Sequence, residues 1–459
     1  WNGLAWSTVG NGFGNGLNGR LTALATASNG DVYAGGYFTQ AGGVAAYGVA
    51  KWNGTVWSTL GIGTVIGNTS SSGIISLAVA SNGDVYAGGN FTQIGGVAAN
   101  NIARWNGTSW SSLGTGVSGG TGGAMATVYS LAIAANGTVY AGGNFTQAGG
   151  VAVSYIAQWS GTAWSPLGAG LNASANSYTS GANALAVASN GDVYAGGTFT
   201  QAGGVAAKGV AKWNGAVWSS LGTGATNGVT YVASYGTFDG VVSALKIAAN
   251  GDIYLAGSFT HAGGIGANNV AKWNGTAWSS VGTSFSNGVS ESVSDLVITG
   301  NGDVYVGGFL FLARWNGTAW SSLGTGVSIG GSTSLSARCS LAPGPASRVY
   351  VGGIFTTVGD GSKVMTHFGI YDPNAVLATA ATLRVVPDAL FPNPARGTAT
   401  LRLPATALRL PIVLTDALGR EVRRYPVPAS SEAELDLRGL PAGTYVVRCG
   451  EVSQRLMIE

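Results

Sequence analysis

All fourteen tryptophans of this 459-residue chain fall into seven W-x-x-x-x-W pairs, opening at Trp1, Trp52, Trp105, Trp159, Trp213, Trp273 and Trp315. A chain that places a bulky pair at such regular intervals is built from copies of one small unit, each burying its apolar side against its neighbours. Each pair brackets a turn, written Trp52-Asn53-Gly54-Thr55-Val56-Trp57 in the second copy. Asn-Gly is a strong signal for a tight hairpin because both residues accept positive φ. With Asn53-Gly54 as a two-residue loop, Trp52 lies opposite Thr55, and the period-two alternation of strands puts Trp57 on the face of Trp52.

A second block, Val-Tyr-Ala-Gly-Gly or a close variant, recurs with its tyrosine at Tyr33, Tyr86, Tyr140, Tyr194, Tyr254, Tyr305 and Tyr350. One full copy reads as a strand over 75–80, a turn at Asn82-Gly83, a strand over 84–92, a loop from Gln93 to Asn100, a strand over 101–105, a turn, and a strand over 109–113. Four short strands per repeat, with first tryptophans spaced by 51, 53, 54, 54, 60 and 42 residues, predict an all-β fold: a seven-bladed β-propeller of four-stranded blades. The seventh tyrosine block has no outer tryptophan strand after it, whereas the chain opens with an orphan strand over 4–9. The N-terminal strand is therefore expected to complete the last blade, closing the ring and removing an edge open to aggregation.

Glycine makes up 78 of the 459 residues but recurs with the repeat, which argues for turns and close sheet packing rather than disorder. Charge divides the chain: residues 1–383 carry 21 charged side chains and residues 384–459 carry 18. This places the propeller at 1–373, a small uncharged linker at 374–386 and a second domain at 387–459. A net charge of +3, with no Lys/Arg stripe interleaved with aromatics, excludes nucleic acid as a partner. No apolar run is long enough to form a transmembrane segment. Beginning at Trp1, inside a hairpin, the chain reads as a mature or trimmed form whose leader is gone. Cys339 and Cys449 fall in different domains and are expected to be two lone thiols.

The last 70 or so residues contain Phe391-Pro392-Asn393-Pro394, then Leu414-Thr415-Asp416-Ala417-Leu418-Gly419-Arg420, then Leu437-Arg438-Gly439-Leu440-Pro441-Ala442-Gly443-Thr444-Tyr445. Short alternating strands separated by Gly, Pro and Asp turns fit a small Ig-like β-sandwich. The three motifs, in this order, resemble the type A C-terminal sorting domain of the type IX secretion system of the Bacteroidota. The resemblance carries the sorting signal onto Pro392, Asn393, Pro394, Asp416, Gly419, Arg420, Gly443 and Tyr445. It implies export through the periplasm to the outer-membrane surface or the exterior, with the outer-membrane translocon and sorting machinery as partners. Removal of the domain, or attachment to surface lipopolysaccharide, is also implied. One departure is that all ten basic residues after 383 are arginine.

The repeats resemble bacterial β-propeller repeat proteins of kelch-like type and, more distantly, the repeats of the fungal cortical polarity-marker family, as in Gly88-Gly89-Asn90-Phe91-Thr92-Gln93-Ile94-Gly95-Gly96. That implies a fold and no activity, because propellers host unrelated functions. Only two histidines are present, His261 and His367, in different blades, and there is no C-x-x-C pair or D-x-D-x-D-G loop, so neither a metal nor another cofactor is expected. A glycosidase dyad needs two inward carboxylates. The acids outside the recurring Asn-Gly-Asp turns of the first six blades are Asp239, Glu291 and Asp295, with Asp360 and Asp372 in the seventh. The turn acids Asp31, Asp84, Asp192, Asp252 and Asp303 read as turn formers.

Binding without turnover is the expected class. One face of the ring holds the tight turns; the other holds the Phe-Thr-Gln-x-Gly-Gly loops and insertions of variable length at 61–74, 114–127, 167–182, 222–241 and 281–291. The longest carries Tyr231, Tyr235, Phe238 and Asp239, and its neighbour Tyr178, a set suited to sugar faces and hydroxyls, although these aromatics also serve to pin their own loops. Trp52, Trp57, Trp105, Trp110, Trp213 and Trp218 are read as blade-to-blade packing, against the alternative of repeated exposed lectin sites. The expectation is a non-enzymatic adhesin or glycan- or protein-binding module. A structural subunit of a surface layer or filament, and a polysaccharide-active enzyme, are the alternatives.

Overall fold

The structure, a computed structural model, describes residues 5–7, 16–61, 73–121, 124–173, 181–222, 227–282, 288–309, 311–323, 327–328, 339–355, 357–358, 363–364, 367–373, 390–403, 411–416, 421–449 and 452–459. It divides into two compact units, Ala5–Asn374 and Ala375–Glu459. The expected linker at 374–386 lies outside the described residues.

In the larger unit the described residues form seven successive antiparallel blade sheets, six of four strands and one, blade 4, whose four strands belong to a six-stranded sheet because its second strand, Val193–Ala202, runs on into the adjoining hairpin. Blade 2 is typical: Gly73–Val79, Val85–Asn90, Ile102–Trp105 and Trp110–Ser112 pair in sequence order. The first strands, beginning with Arg20–Thr26 in blade 1 and ending with Ser340–Pro343 in blade 7, pack each against the next, and the last against the first. The ring is thereby closed as a β-propeller. In blade 7 the outermost strand is Ala5–Ser7, paired with Phe368–Asp372 through Trp6↔Tyr371. The N-terminal strand thus completes the last sheet.

Side chains alternate between the two neighbours of each blade. Val32 and Ala34 belong to an apolar cluster with Phe368 of blade 7, whereas Tyr33 joins Ile74, Leu77 and Trp105 of blade 2. The Gly-Gly pair after the tyrosine follows from close approach. A Cβ on Gly35 would lie 2.5 Å from a methyl of Ile74 in the next blade, and one on Gly36 would lie 2.2 Å from the Arg20 carbonyl of its own first strand, so neither site admits a side chain.

Two turns differ from their sequence reading. Trp52 pairs directly with Trp57, not with Thr55, so the hairpin loop is four residues long. The reason is the Asn53 side chain: its Oδ1 accepts the backbone N–H groups of Thr55 and Val56 at 3.0 and 2.9 Å, replacing the two-residue hairpin with a wider Asx-stabilised turn. The indoles still share a face, with ring centroids 5.5 Å apart. The segment after Phe-Thr, expected as a loop, is a two-stranded hairpin, Gln93–Ile94 with Val97–Ala98 in blade 2, turning at Gly95-Gly96 where both φ values are positive.

The turn acids carry more than turn geometry. Asp31, Asp84, Asp192, Asp252 and Asp303 form ion pairs with Lys51, Arg104, Lys212, Lys272 and Arg314, the residues preceding the first tryptophan of their blades. Blade 3 has Thr138 and Gln158 at the two equivalent positions, so both charges are missing together. Installing them with Thr138→Asp and Gln158→Lys is expected to add about 0.2–1 kcal/mol, the range of partly exposed pairs. A double-mutant cycle in denaturant unfolding reads the coupling; additive single effects would count against it.

The smaller unit is a seven-stranded β-structure with strand order Glu421–Tyr425, Ile412–Asp416, Gly443–Cys449, Val452–Ile458, Leu390–Arg396, Thr398–Arg402, Glu432–Asp436. Leu390–Arg396 passes between its two halves, pairing antiparallel with Thr398–Arg402 and, at Ala395↔Ile458, parallel with the last strand. Leu401, Leu414, Leu435, Val447 and Leu456 fill a shared core. This is the β-sandwich expected from the alternating pattern. Neither cysteine of the chain is in a disulfide, and burial pushes both thiols up, Cys339 to about 12.

Candidate functional site

The insertion at 222–241 folds as a hairpin, Val229–Ala233 with Gly236–Asp239, in which Tyr231 pairs with Phe238. Its first strand also pairs with the short hairpin of blade 5 through Thr230↔His261. The Val232 N–H donates to Thr260 Oγ1 at 2.8 Å, and that hydroxyl lies 3.0 Å from His261 Nδ1. The insertion is therefore a small sheet fastened to the blade. Insertions 114–127 and 167–182 likewise contribute Val117–Gly120 and Leu171–Ala173 to the equivalent hairpins of blades 3 and 4.

On this hairpin the aromatic side chains face solvent. Tyr235 is 82% exposed, Phe238 46% and Tyr231 41%. The rings of Tyr235 and Phe238 have centroids 5.5 Å apart, inclined by 59°. Asp239 does not join them: it pairs with Thr230, one residue along, and strand alternation turns it to the opposite face. Tyr178 lies outside the described residues. Of the other acids considered for catalysis, Glu291 is exposed, Asp295 lines the cavity on the ring axis, Asp372 pairs with Arg348, and Asp360 lies outside the described residues.

The tryptophans sit in a different environment. Trp52, Trp57, Trp105, Trp110, Trp213 and Trp218 are all at most 9% exposed. The second indole of a blade reaches back to the one before: Trp110 Nε1 donates to the Leu60 carbonyl, Trp164 to Leu113, Trp218 to Leu167, Trp278 to Leu221 and Trp320 to Val281, at 2.7–3.0 Å. Its other side receives the hairpin glycine of its own blade, where a Cβ on Gly95 would stand 2.3 Å from the Trp110 ring.

A second set of ties went unread in the sequence. Each first strand of blades 1 to 6 carries an irregularity in pairing next to its repeated leucine. Polar side chains there bridge to the following blade. Thr22 donates to the Ile74 carbonyl, Asn183 to that of Val242, Ser294 to that of Cys339, and Ser130 Oγ accepts the Leu185 N–H. The signal available was a polar residue one or two places before Leu in each repeat.

In the smaller unit, Asn393 Oδ1 accepts the Met457 N–H at 2.8 Å, joining the first motif to the final strand. Tyr445 is buried and its hydroxyl donates to the Pro441 carbonyl at 2.7 Å. Asp416 pairs with Tyr445 across adjacent strands. Pro392 and Pro394 both follow cis peptide bonds, and Gly443 opens the strand that carries Tyr445. Gly419 and Arg420 lie outside the described residues. Among the described residues, Arg402 pairs with Glu432, Arg424 with Glu421, and Arg438 holds the Asp436 carboxyl down to about 2.

Residues 389–458 match the family model of the secretion system C-terminal sorting domain. The chain is thus a β-propeller joined to a type IX sorting domain, and the protein is exported to the cell surface or the exterior by the secretion machinery that reads that domain. No curated protein matches the sequence. Among solved structures it is similar to PorZ, a surface component of the type IX secretion system of Porphyromonas gingivalis, at 13% identity and TM-score 0.40, over 96% of this chain and 66% of that one. It is similar to the extracellular domain described for the hybrid two-component system BT3049 of B. thetaiotaomicron at 10% identity and TM-score 0.48, over 99% of this chain and 57% of that one. YCF48 bound to a D1 peptide matches at 11% identity and TM-score 0.40, over 81% and 97% of the two chains. The chain therefore spans 66% and 57% of the lengths of the first two. No helix among the described residues is long and apolar enough to cross a membrane.

Proposed function

We propose that the protein is a surface-displayed binding module, an adhesin that holds a glycan on the aromatic hairpin 229–239 without turning it over. One observation carries this reading. In a ring whose described tryptophans are buried or half-buried in the seams, Tyr231, Tyr235 and Phe238 stand on one hairpin with their side chains open to solvent. Aromatic faces pack against the apolar faces of sugar rings, and Tyr hydroxyls supply hydrogen bonds at the rim. The hairpin's pairing with blade 5 holds the rings in place before a ligand arrives. After export, the sorting domain would be removed or linked to surface lipopolysaccharide.

A glycan array probed with the full chain is expected to show specific binding that falls about ten-fold or more in a Tyr231→Ala/Tyr235→Ala variant, the loss that removing two stacking rings implies. A folded protein that binds no glycan, or a variant that binds as the parent does, would sink the reading. Concentration-dependent self-association in light scattering would then move it to a structural subunit of a surface layer.

A further inference from the structure

The repeats contain two families of Asn-Gly turn, and they hold that dipeptide differently. Outer turns join the two tryptophans of a blade, at Asn53-Gly54, Asn106-Gly107, Asn214-Gly215, Asn274-Gly275 and Asn316-Gly317. Inner turns join the first two strands of blades 1 to 6, from Asn29-Gly30 to Asn301-Gly302. The asparagines of both families are exposed, so access to water does not separate them. In all five outer turns the asparagine Oδ1 accepts the N–H groups two and three residues on, at 2.8–3.0 Å. In four of them a threonine hydroxyl donates to the same oxygen at 2.9 Å. Donors converging on an amide oxygen stabilise the negative charge that develops there when a nucleophile adds to its carbon. The nucleophile is next in the chain. It is the glycine nitrogen, whose N–H makes no hydrogen bond among the described residues in any of the five, and no Cβ obstructs its approach.

Inner turns withhold these elements. In all six the glycine N–H donates to the carbonyl three residues back, at 2.9–3.0 Å, as Gly30 does to Ala27 and Gly302 to Thr299. The asparagine Oδ1 accepts one backbone N–H instead of two. In five of the six the asparagine Nδ2 is also tied to the turn aspartate. Blade 3 supplies a further contrast. Its outer turn is Ser160-Gly161, in which the serine Oγ accepts the corresponding two N–H groups at 3.4 and 3.2 Å, so the turn forms without any side-chain amide.

We propose that the five outer turns are sites of spontaneous covalent modification, in which the turn itself promotes conversion of its asparagine to an acid with water as co-reactant. Hydroxide takes the glycine N–H proton, the nitrogen bonds to the asparagine Cγ, and the oxyanion forms among the converging donors. The Cγ–Nδ2 bond then breaks, ammonia leaves with a proton from solvent, and a five-membered succinimide remains. Water adds to one of its two carbonyls and reopens the ring to aspartate or isoaspartate, with no change of oxidation state. Residues 1–383 carry eleven basic and ten acidic side chains, so conversion of all five takes the propeller from a formal net charge of +1 to −4. The modification is independent of the aromatic hairpin and of any glycan it holds.

The full chain, kept folded in mildly alkaline buffer, is sampled over time, digested and mapped by mass spectrometry for the amide-to-acid mass change. The five outer asparagines are expected to convert at least about ten-fold faster than the six inner ones, because attack in an inner turn must first break a hydrogen bond. In denaturant, where both kinds of turn are lost, the two families are expected to convert at similar rates. Outer asparagines that stay intact in the folded chain, or inner and outer ones that convert alike there, would overturn the proposal. So would a difference that persists in denaturant, since it would come from the flanking sequence and not from the turn.

Discussion

Replacing Trp218 by alanine is expected to destabilise the propeller by about 3–5 kcal/mol, the range for truncating a buried aromatic. Trp218 is 5% exposed, lies with its ring centroid 5.5 Å from that of Trp213 at an inclination of 48°, and donates to the Leu167 carbonyl of blade 3 at 2.7 Å. Truncation opens a cavity at the seam and leaves that carbonyl without its donor. With an unfolding entropy of about 2.1 cal/mol/K per residue over the ring, the midpoint should fall by about 4–6 °C. Trp218→Phe keeps most of the ring volume but loses the hydrogen bond, and should cost less, about 1–3 kcal/mol. Val217→Ala is the control: Val217 is 60% exposed, and its truncation should stay within about 0.5 kcal/mol. Thermal and denaturant unfolding measure all three. A Trp218→Ala ring as stable as the control would mean that the indoles do not hold the seams, and would reopen their reading as ligand sites.

The largest effect in the cell is expected from removing the sorting domain. A chain ending at residue 388 lacks the whole matched region, 389–458, yet keeps every strand of the propeller. It should accumulate folded on the inner side of the outer membrane, while the full chain reaches the surface or the medium. Fractionation with immunoblotting distinguishes these outcomes. A narrower version is Asn393→Ala, which removes the acceptor for the Met457 N–H and loosens the first motif from the final strand; unfolding of that domain and surface yield should fall together. Surface delivery of the truncated chain in parental amounts would show that the domain is dispensable for export.

The blades were legible because repetition prints each structural requirement several times. Tryptophan spacing, the Tyr-x-Gly-Gly block and the orphan N-terminal strand together imply four-stranded blades and a last sheet closed by Ala5–Ser7, and the pairing of Trp6 with Tyr371 follows that plan. Turn detail was less legible, since Asn53 captures two backbone N–H groups with its side chain and so selects a wider loop than Asn-Gly alone predicts. The Phe-Thr-Gln-x-Gly-Gly segment is too short to show a strand period and becomes a hairpin only because Gly95 and Gly96 adopt positive φ beneath the Trp110 ring.

The candidate sites were legible only in part. Tyr231, Tyr235 and Phe238 stand out as aromatics in a variable insertion, but their exposure and the separation of Asp239 onto the other face follow from a strand register that sequence does not disclose. Lys246 and Asp295 are 49 residues apart in the chain and in different repeats, and the packing of blade 5 against blade 6 brings them to one cavity. By itself, the sequence determined the repeating unit, the mode of closure and the export address, because each is written in local motifs of fixed order. Which aromatic faces are buried and what lines the axis were decided by the tertiary structure, because those contacts join residues of different blades and exist only once the blades have packed together.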